Sequence, residues 1–356
     1  MFQLDAFGWS SFFQQHLKSN DSRSPARVIE EQRGGYRVAG EAGELDAEVS
    51  GRLRHHAASR SELPAVGDWV LIDPRVSEGR ATIHEVLPRK SRFSRKAAGQ
   101  ETAEQVVAAN IDTVFLMTSL NADLNPRRIE RYLASVWESG AQPVVLLSKS
   151  DLCEDVAAAF EEITSVAAGA PIHAVSAVSG HGVEALDAYL RRGQTVAVLG
   201  SSGVGKSTLI NRLLGAAVQA TRDIREDDAR GRHTTTSRRL FVLPSGGMLI
   251  DTPGMRELQL WDADDGLSQT FDDIESFAAD CRFRDCQHES EPGCAVREAL
   301  ADGRLAADRF ESFLKLRREL GYLARKQDVL ARIDETRRWK HIHKAQRDLY
   351  RSRNKP

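Results

Sequence analysis

Three rhythms of apolar and polar residues follow one another along the chain. Residues 1–30 hold a short amphipathic stretch marked by Trp9, Phe12, Phe13 and Leu17, and then a polar run. Between residues 35 and 87 the period is two. Tyr36-Arg37-Val38, Leu45-Asp46-Ala47-Glu48-Val49, Asp68-Trp69-Val70-Leu71-Ile72 and Thr82-Ile83-His84-Glu85-Val86 are short alternating runs broken by Gly and Pro. Four or five such strands predict a small barrel, for which the oligonucleotide-binding (OB) barrel is one candidate. From about residue 106 apolar strands alternate with helices. Residues 111–117, 144–147, 172–175 and 195–199 read as strands. Residues 127–139 read as a helix with Ile129, Leu133 and Val136 on one stripe. That alternation predicts a mostly parallel sheet covered by helices on both faces. Beyond Asp272 no strand pattern appears, only helices around crowded cysteines and a helical tail. The predicted organisation is an N-terminal extension (1–30), an OB-type β-barrel (31–100), an α/β P-loop domain (101–270) and a helical domain with a basic tail (271–356).

Composition changes this picture at a few points. The 356 residues carry a formal net charge of −2, and 41% hydrophobic with 28% charged residues is ordinary for a globular protein. No apolar run approaches the ~20 residues that cross a bilayer, and the N-terminus lacks a basic region followed by an apolar stretch. A cytoplasmic protein without a membrane partner is expected. Charge is concentrated locally. Arg304 to Pro356 holds 16 Lys or Arg against 7 Asp or Glu, which suits an anionic partner such as RNA or a solvated helical tail. Residues 89–96 carry five cations around Phe93, which read either as an RNA-contacting loop, with the aromatic for stacking, or as an exposed linker.

Directly after the strand at 195–199 comes Gly200-Ser201-Ser202-Gly203-Val204-Gly205-Lys206-Ser207-Thr208, a full G-x-x-x-x-G-K-[ST] phosphate loop followed by an apolar-striped helix. Its glycines let backbone N–H groups converge on phosphates at a helix N-terminus. Lys206 is expected to reach the β- and γ-phosphates and Ser207 to ligate Mg²⁺. Asp251-Thr252-Pro253-Gly254 closes a later apolar strand. Asp251 suits a second hold on Mg²⁺, and the Gly254 N–H suits the γ-phosphate.

A phosphate loop does not distinguish GTP from ATP. In GTPases an N-K-x-D motif does so, because the Asp carboxylate accepts from guanine N1–H and the 2-amino group. No such motif follows Asp251. Upstream, Ser148-Lys149-Ser150-Asp151 follows the strand at 144–147, with Ser148 in place of Asn. Ser176-Ala177 then closes the next strand as the S-A motif whose backbone meets the base O6. The order is therefore base motif, S-A motif, phosphate loop, D-x-x-G.

With these motifs in place, the chain resembles the circularly permuted bacterial GTPases of small-subunit assembly, the ribosome small-subunit-dependent GTPase A family. The resemblance also rests on Val66-Gly67-Asp68-Trp69-Val70, Ala108-Ala109-Asn110-Ile111-Asp112, Gly231-Arg232-His233-Thr234-Thr235-Thr236 and the cysteine cluster. It implies an OB-type barrel, a permuted GTPase domain and a zinc-binding C-terminal domain. It further implies GTP and GDP as ligands, and as partners the 30S subunit and its 16S rRNA, met by a monomer.

Cys281, Cys286, His288 and Cys294 form a Cys₃His set within 14 residues, suited to closed tetrahedral Zn²⁺. Such a site is structural and folds a region expected to be too poor in apolar residues for a core of its own. For hydrolysis, the position after D-x-x-G that often carries a water-orienting Gln is Met255. The resemblance points to His233 as the catalytic imidazole, against a plain loop role, and to Thr235 near Mg²⁺ or the γ-phosphate. Residues 255–262 then lead from the nucleotide into the zinc region, a short path for coupling the two. Two readings compete: a P-loop ATPase or small-molecule kinase, and a non-catalytic RNA-binding module that keeps GTP as a structural ligand.

Overall fold

The computed structural model describes residues 3–19, 21–32, 34–96, 104–120, 124–215, 238–251 and 264–325. Among the described residues thirteen strands appear in chain order: β1 (Ser24–Gln32), β2 (Gly35–Gly40), β3 (Gly43–Val49), β4 (Trp69–Arg75), β5 (Arg80–Val86), β6 (Arg92–Lys96), β7 (Glu104–Ala109), β8 (Thr113–Ser119), β9 (Gln142–Ser148), β10 (Ile172–Val175), β11 (Thr195–Gly200), β12 (Arg238–Val242) and β13 (Met248–Asp251). The helices are α1 (Ser11–Gln14), α2 (Gly51–His56), α3 (Pro126–Ser139), α4 (Val156–Thr164), α5 (Lys206–Leu214), α6 (Asp264–Thr270), α7 (Asp272–Ala279), α8 (Ala295–Ala301) and α9 (307–325). None is long and apolar enough to cross a membrane among the described residues.

Strands β1-β2-β3-β5-β4 pair in that order, and β4 returns to β1, closing a five-stranded barrel. The barrel begins at Ser24, inside the stretch read as an N-terminal extension. Strand β1 hides its period because Ala26, Arg27, Val28 and Ile29 are all buried. Ala26 and Val28 pack in the barrel core, while Arg27 and Ile29 on the other face are covered at the junction with the nucleotide sheet, so neither face alternates with solvent. Through β12 the barrel runs on into the nucleotide sheet, whose order is β10-β9-β8-β11-β13-β12. All its pairings are parallel except β12 with β13. The phosphate-loop strand β11 sits centrally between β8 and β13 although β8, β9 and β10 precede it in the chain. This is the permuted order.

The junction of barrel and sheet explains two of the sequence signatures. Gly67 has φ +92°, and a Cβ there would stand 2.1 Å from the Ala109 carbonyl oxygen. Asp68 accepts two bonds from Arg89, at 2.8 and 2.7 Å. Trp69 is fully buried against Trp9 and Phe13. On the other side Asn110 donates to Gly67 O at 3.0 Å, and Asp112 accepts from the Thr195 N–H at 2.8 Å. Part of the 89–96 segment is built into the fold, with Arg92–Lys96 forming β6 and Arg92 exposed. Phe93 is 1% exposed and closed to a stacking base, Arg89 is spent on Asp68, and Lys90 lies 5.0 Å over the Phe13 ring.

The C-terminal helices have their own core of Phe271, Ile274, Val296, Leu305, Phe313 and Leu316. This corrects the expectation that the cysteine region lacks one; Cys294 is itself part of this core, Cys281 and Cys286 pack against it, and its other apolar residues come from segments spread between α6 and α9. The unit docks on α3. Helix α6 approaches so closely that a Cβ on Gly266 would lie 2.1 Å from Ala134 O. Glu130 on α3 is fully buried, accepts from Arg309 Nη1 at 2.9 Å and Ser312 Oγ at 2.6 Å, and is ion-paired with Arg127.

Candidate nucleotide site

At the C-terminal edge of the parallel strands the loops after β9, β10 and β11 and the end of β13 come together. Strand β11 ends at Gly200, where φ is +152° and a Cβ would lie 2.4 Å from Met117 O at the end of β8. Gly203 and Gly205 follow at φ +82° and +97°. Between them Val204 is fully buried and anchors the loop, while Ser202 and Gly203 are exposed. The Lys206 ammonium arches back over the loop, donating to Gly200 O at 2.7 Å and to Ser201 O. Ser207 and Thr208 occupy the first turn of α5, whose N-terminal N–H groups face the loop. Asp251 ends β13, the strand directly beside β11.

The base motif stands on the other side. Strand β9 ends at Ser148, which is 3% exposed. Its Oγ lies 2.7 Å from Val204 O and 3.1 Å from Thr118 O, so the base loop is hydrogen-bonded to the phosphate loop. Lys149 takes a left-handed conformation at φ +57°, a strained turn that non-glycine residues adopt at functional sites. Asp151 follows exposed on the succeeding turn, Ser150–Leu152. Ser176 and Ala177 leave β10, the neighbour of β9. Ser176 is 1% exposed, and its Oγ accepts from the Ser179 N–H at 3.1 Å. Sequence reasoning missed Met117, under the phosphate loop, and Arg212, which bonds the carbonyls beyond Ser176. His233, Thr235, Gly254 and Met255 lie outside the described residues.

The comparisons with known proteins agree with this geometry. A family model described as RsgA GTPase matches residues 86–261. A protein of Opitutus terrae named small ribosomal subunit biogenesis GTPase RsgA is 49% identical over 356 residues, covering 97% of each chain. The chain belongs to the RsgA GTPase family. It is a GTP-hydrolysing enzyme. Another family member, RsgA 1 of Oceanobacillus iheyensis, is 48% identical over 323 residues, covering 90% of this chain and 92% of that protein. The crystal structure of YjeQ from Thermotoga maritima is similar at a TM-score of 0.65, with 28% identity over 84% of this chain and 98% of that one. YloQ, titled a circularly permuted GTPase, shares the fold at a TM-score of 0.61 and 23% identity, over 86% of this chain and 98% of its own.

Away from the nucleotide edge, Cys281, Cys286, His288 and Cys294 bring their ligand atoms within 4.8 Å of one another. His288 Nδ1 lies 3.4 Å from Cys294 Sγ and 3.7 Å from Cys281 Sγ. A left-handed His288 (φ +62°) turns the ring inward, and burial holds its imidazole below the usual pKa, in the neutral form that ligates. Three thiols and one imidazole at this spacing fit a tetrahedral metal ion.

Proposed function

We propose that this GTPase acts in late maturation of the small ribosomal subunit. In this reading it binds the 30S particle and its 16S rRNA in the cytoplasm as a monomer, and the particle speeds hydrolysis so that GTP cleavage times release or a checkpoint. The names of its relatives support the ribosomal part. The observation that carries the nucleotide part is the Ser148–Val204 bond, which joins a base loop and a phosphate loop at one sheet edge.

Asp151 accepts from guanine N1–H and the 2-amino group, the Ser176-Ala177 backbone meets O6, and Lys149 borders the base. The loop N–H groups from Gly200 to Gly205 and the Lys206 ammonium hold the β- and γ-phosphates. Ser207 and Asp251 hold Mg²⁺, which neutralises charge developing on the phosphates. Gly254 contacts the γ-phosphate, and His233 and Thr235 act on the attacking water and the metal. Zn²⁺ closes the Cys₃His loop as a structural ion. Phosphate release measured with 30S subunits, with 50S subunits and with neither tests this: stimulation by 30S alone is expected, and equal rates in all three remove the ribosomal role.

A further inference from the structure

The loop after β10 is built around a side chain from the phosphate-loop helix. Arg212 on α5 donates from Nη1 to Ala177 O at 3.0 Å and Val178 O at 3.2 Å. The loop makes room for it. Gly180 has φ +94°, and a Cβ there would stand 2.1 Å from Arg212 Nη2. Any other residue would be strained and would push the guanidinium away. The loop is otherwise closed on itself. The Gly180 N–H donates to Ser176 O at 2.8 Å, and the Ser176 N–H donates to His181 O at 2.9 Å. The Ala177 N–H shares its peptide unit with Ser176 O, which the Gly180 N–H holds, and Arg212 holds the next two units through Ala177 O and Val178 O, so the Ala177 residue is restrained on both sides.

We infer that Arg212 is a positioning residue for base recognition, holding the S-A loop so that the Ala177 N–H points at guanine O6. The inference rests on the proposed reading of that loop. The physical reason is directional: an N–H···O bond weakens steeply as its angle falls. A small tilt of the loop thus forfeits the O6 bond while leaving the contacts of Asp151 with N1–H and the 2-amino group intact. Arg212 lies in the last turn of α5, so it ties the base loop to the helix that the phosphate loop opens.

The probe is GDP against 6-thio-GDP. The thio analogue keeps N1–H and the 2-amino group but replaces O6 with a larger, weakly accepting sulfur. Arg212→Met keeps the aliphatic stem and removes the donors. Its affinity for GDP should fall about tenfold, at the low end for a charged bond because the guanidinium is exposed, while its affinity for 6-thio-GDP moves by less than about threefold. The KM for GTP should rise more than kcat falls. Gly180→Ala should show the same selective loss from the loop's side, and Arg212→Lys should recover part of it. Equal losses for both nucleotides in Arg212→Met and Gly180→Ala overturn the inference and leave Arg212 a structural brace. A wild-type protein indifferent to O6 substitution refutes the reading of the loop itself, and the inference with it.

Discussion

At Ser148 one hydroxyl hydrogen faces two carbonyl oxygens, and geometry decides between them. Val204 O, at 2.7 Å, takes the bond; Thr118 O, at 3.1 Å, is the poorer acceptor. The Asn expected at this position carries two amide hydrogens and meets both demands, so Ser148 retains half of the tie. Ser148→Ala removes the rest and leaves a buried carbonyl short of a donor, costing about 1–3 kcal/mol of stability. Nucleotide affinity should fall as the two loops lose register. The preference for GDP over ADP should persist, because the discriminating carboxylate of Asp151 is untouched. Thermal protection by each diphosphate, compared between wild type and variant, checks this. If the variant loses its guanine preference along with affinity, Ser148 does more than join loops.

At the scale of elements, helix α3 is the seat of the C-terminal unit. Glu130, fully buried, is shared by Arg309, Arg127 and Ser312. Removing one partner from a buried ionic network leaves the others without compensation, at about 3–5 kcal/mol. Glu130→Ala should therefore lower stability by that order in denaturant titration and raise hydrogen exchange in α6 to α9 first. A uniform rise across the molecule would show that the docking is not local. None of this was legible in the sequence, where Glu130 reads as one more charge on an amphipathic helix. Of its three partners only Arg127 is near in sequence; Arg309 and Ser312 lie 179 and 182 positions further along the chain. The phosphate loop was legible because left-handed turns demand glycine at fixed offsets, and so was the Cys₃His set. Strand β1 was not, since a buried arginine interrupts its apolar run. Within Arg89–Lys96, the structural use of Arg89 was hidden because its partner, the buried Asp68, is distant in sequence.

Across the whole molecule, the barrel and the nucleotide sheet are fastened rather than linked. Arg27 is buried to 1% exposure and bonds the carbonyls of Phe7, Gly67 and Asn110, one each from the N-terminal segment, the barrel and the entry to β8. Burial holds its guanidinium down to about 10, still protonated at neutral pH. The C-terminal unit is fastened too, on α3, so any motion of that unit would have to work against the Glu130 network. That arrangement separates two roles of the metal site. If the ion supplied the only core of the C-terminal unit, removing it would unfold all of α6 to α9. Cys294 belongs to that core, but Phe271, Ile274, Val296 and Phe313 also pack on one another and on Ala134 of α3, so chelation should loosen chiefly residues 281–294. The expected result is release of one Zn²⁺ per chain in a colorimetric assay, nearly unchanged helical circular dichroism, and intrinsic GTP hydrolysis within about twofold of the starting rate, since the nucleotide edge lies on other elements. Collapse of the helical signal on chelation would instead make the metal the keystone of the unit, as zinc is in small modules that have no core.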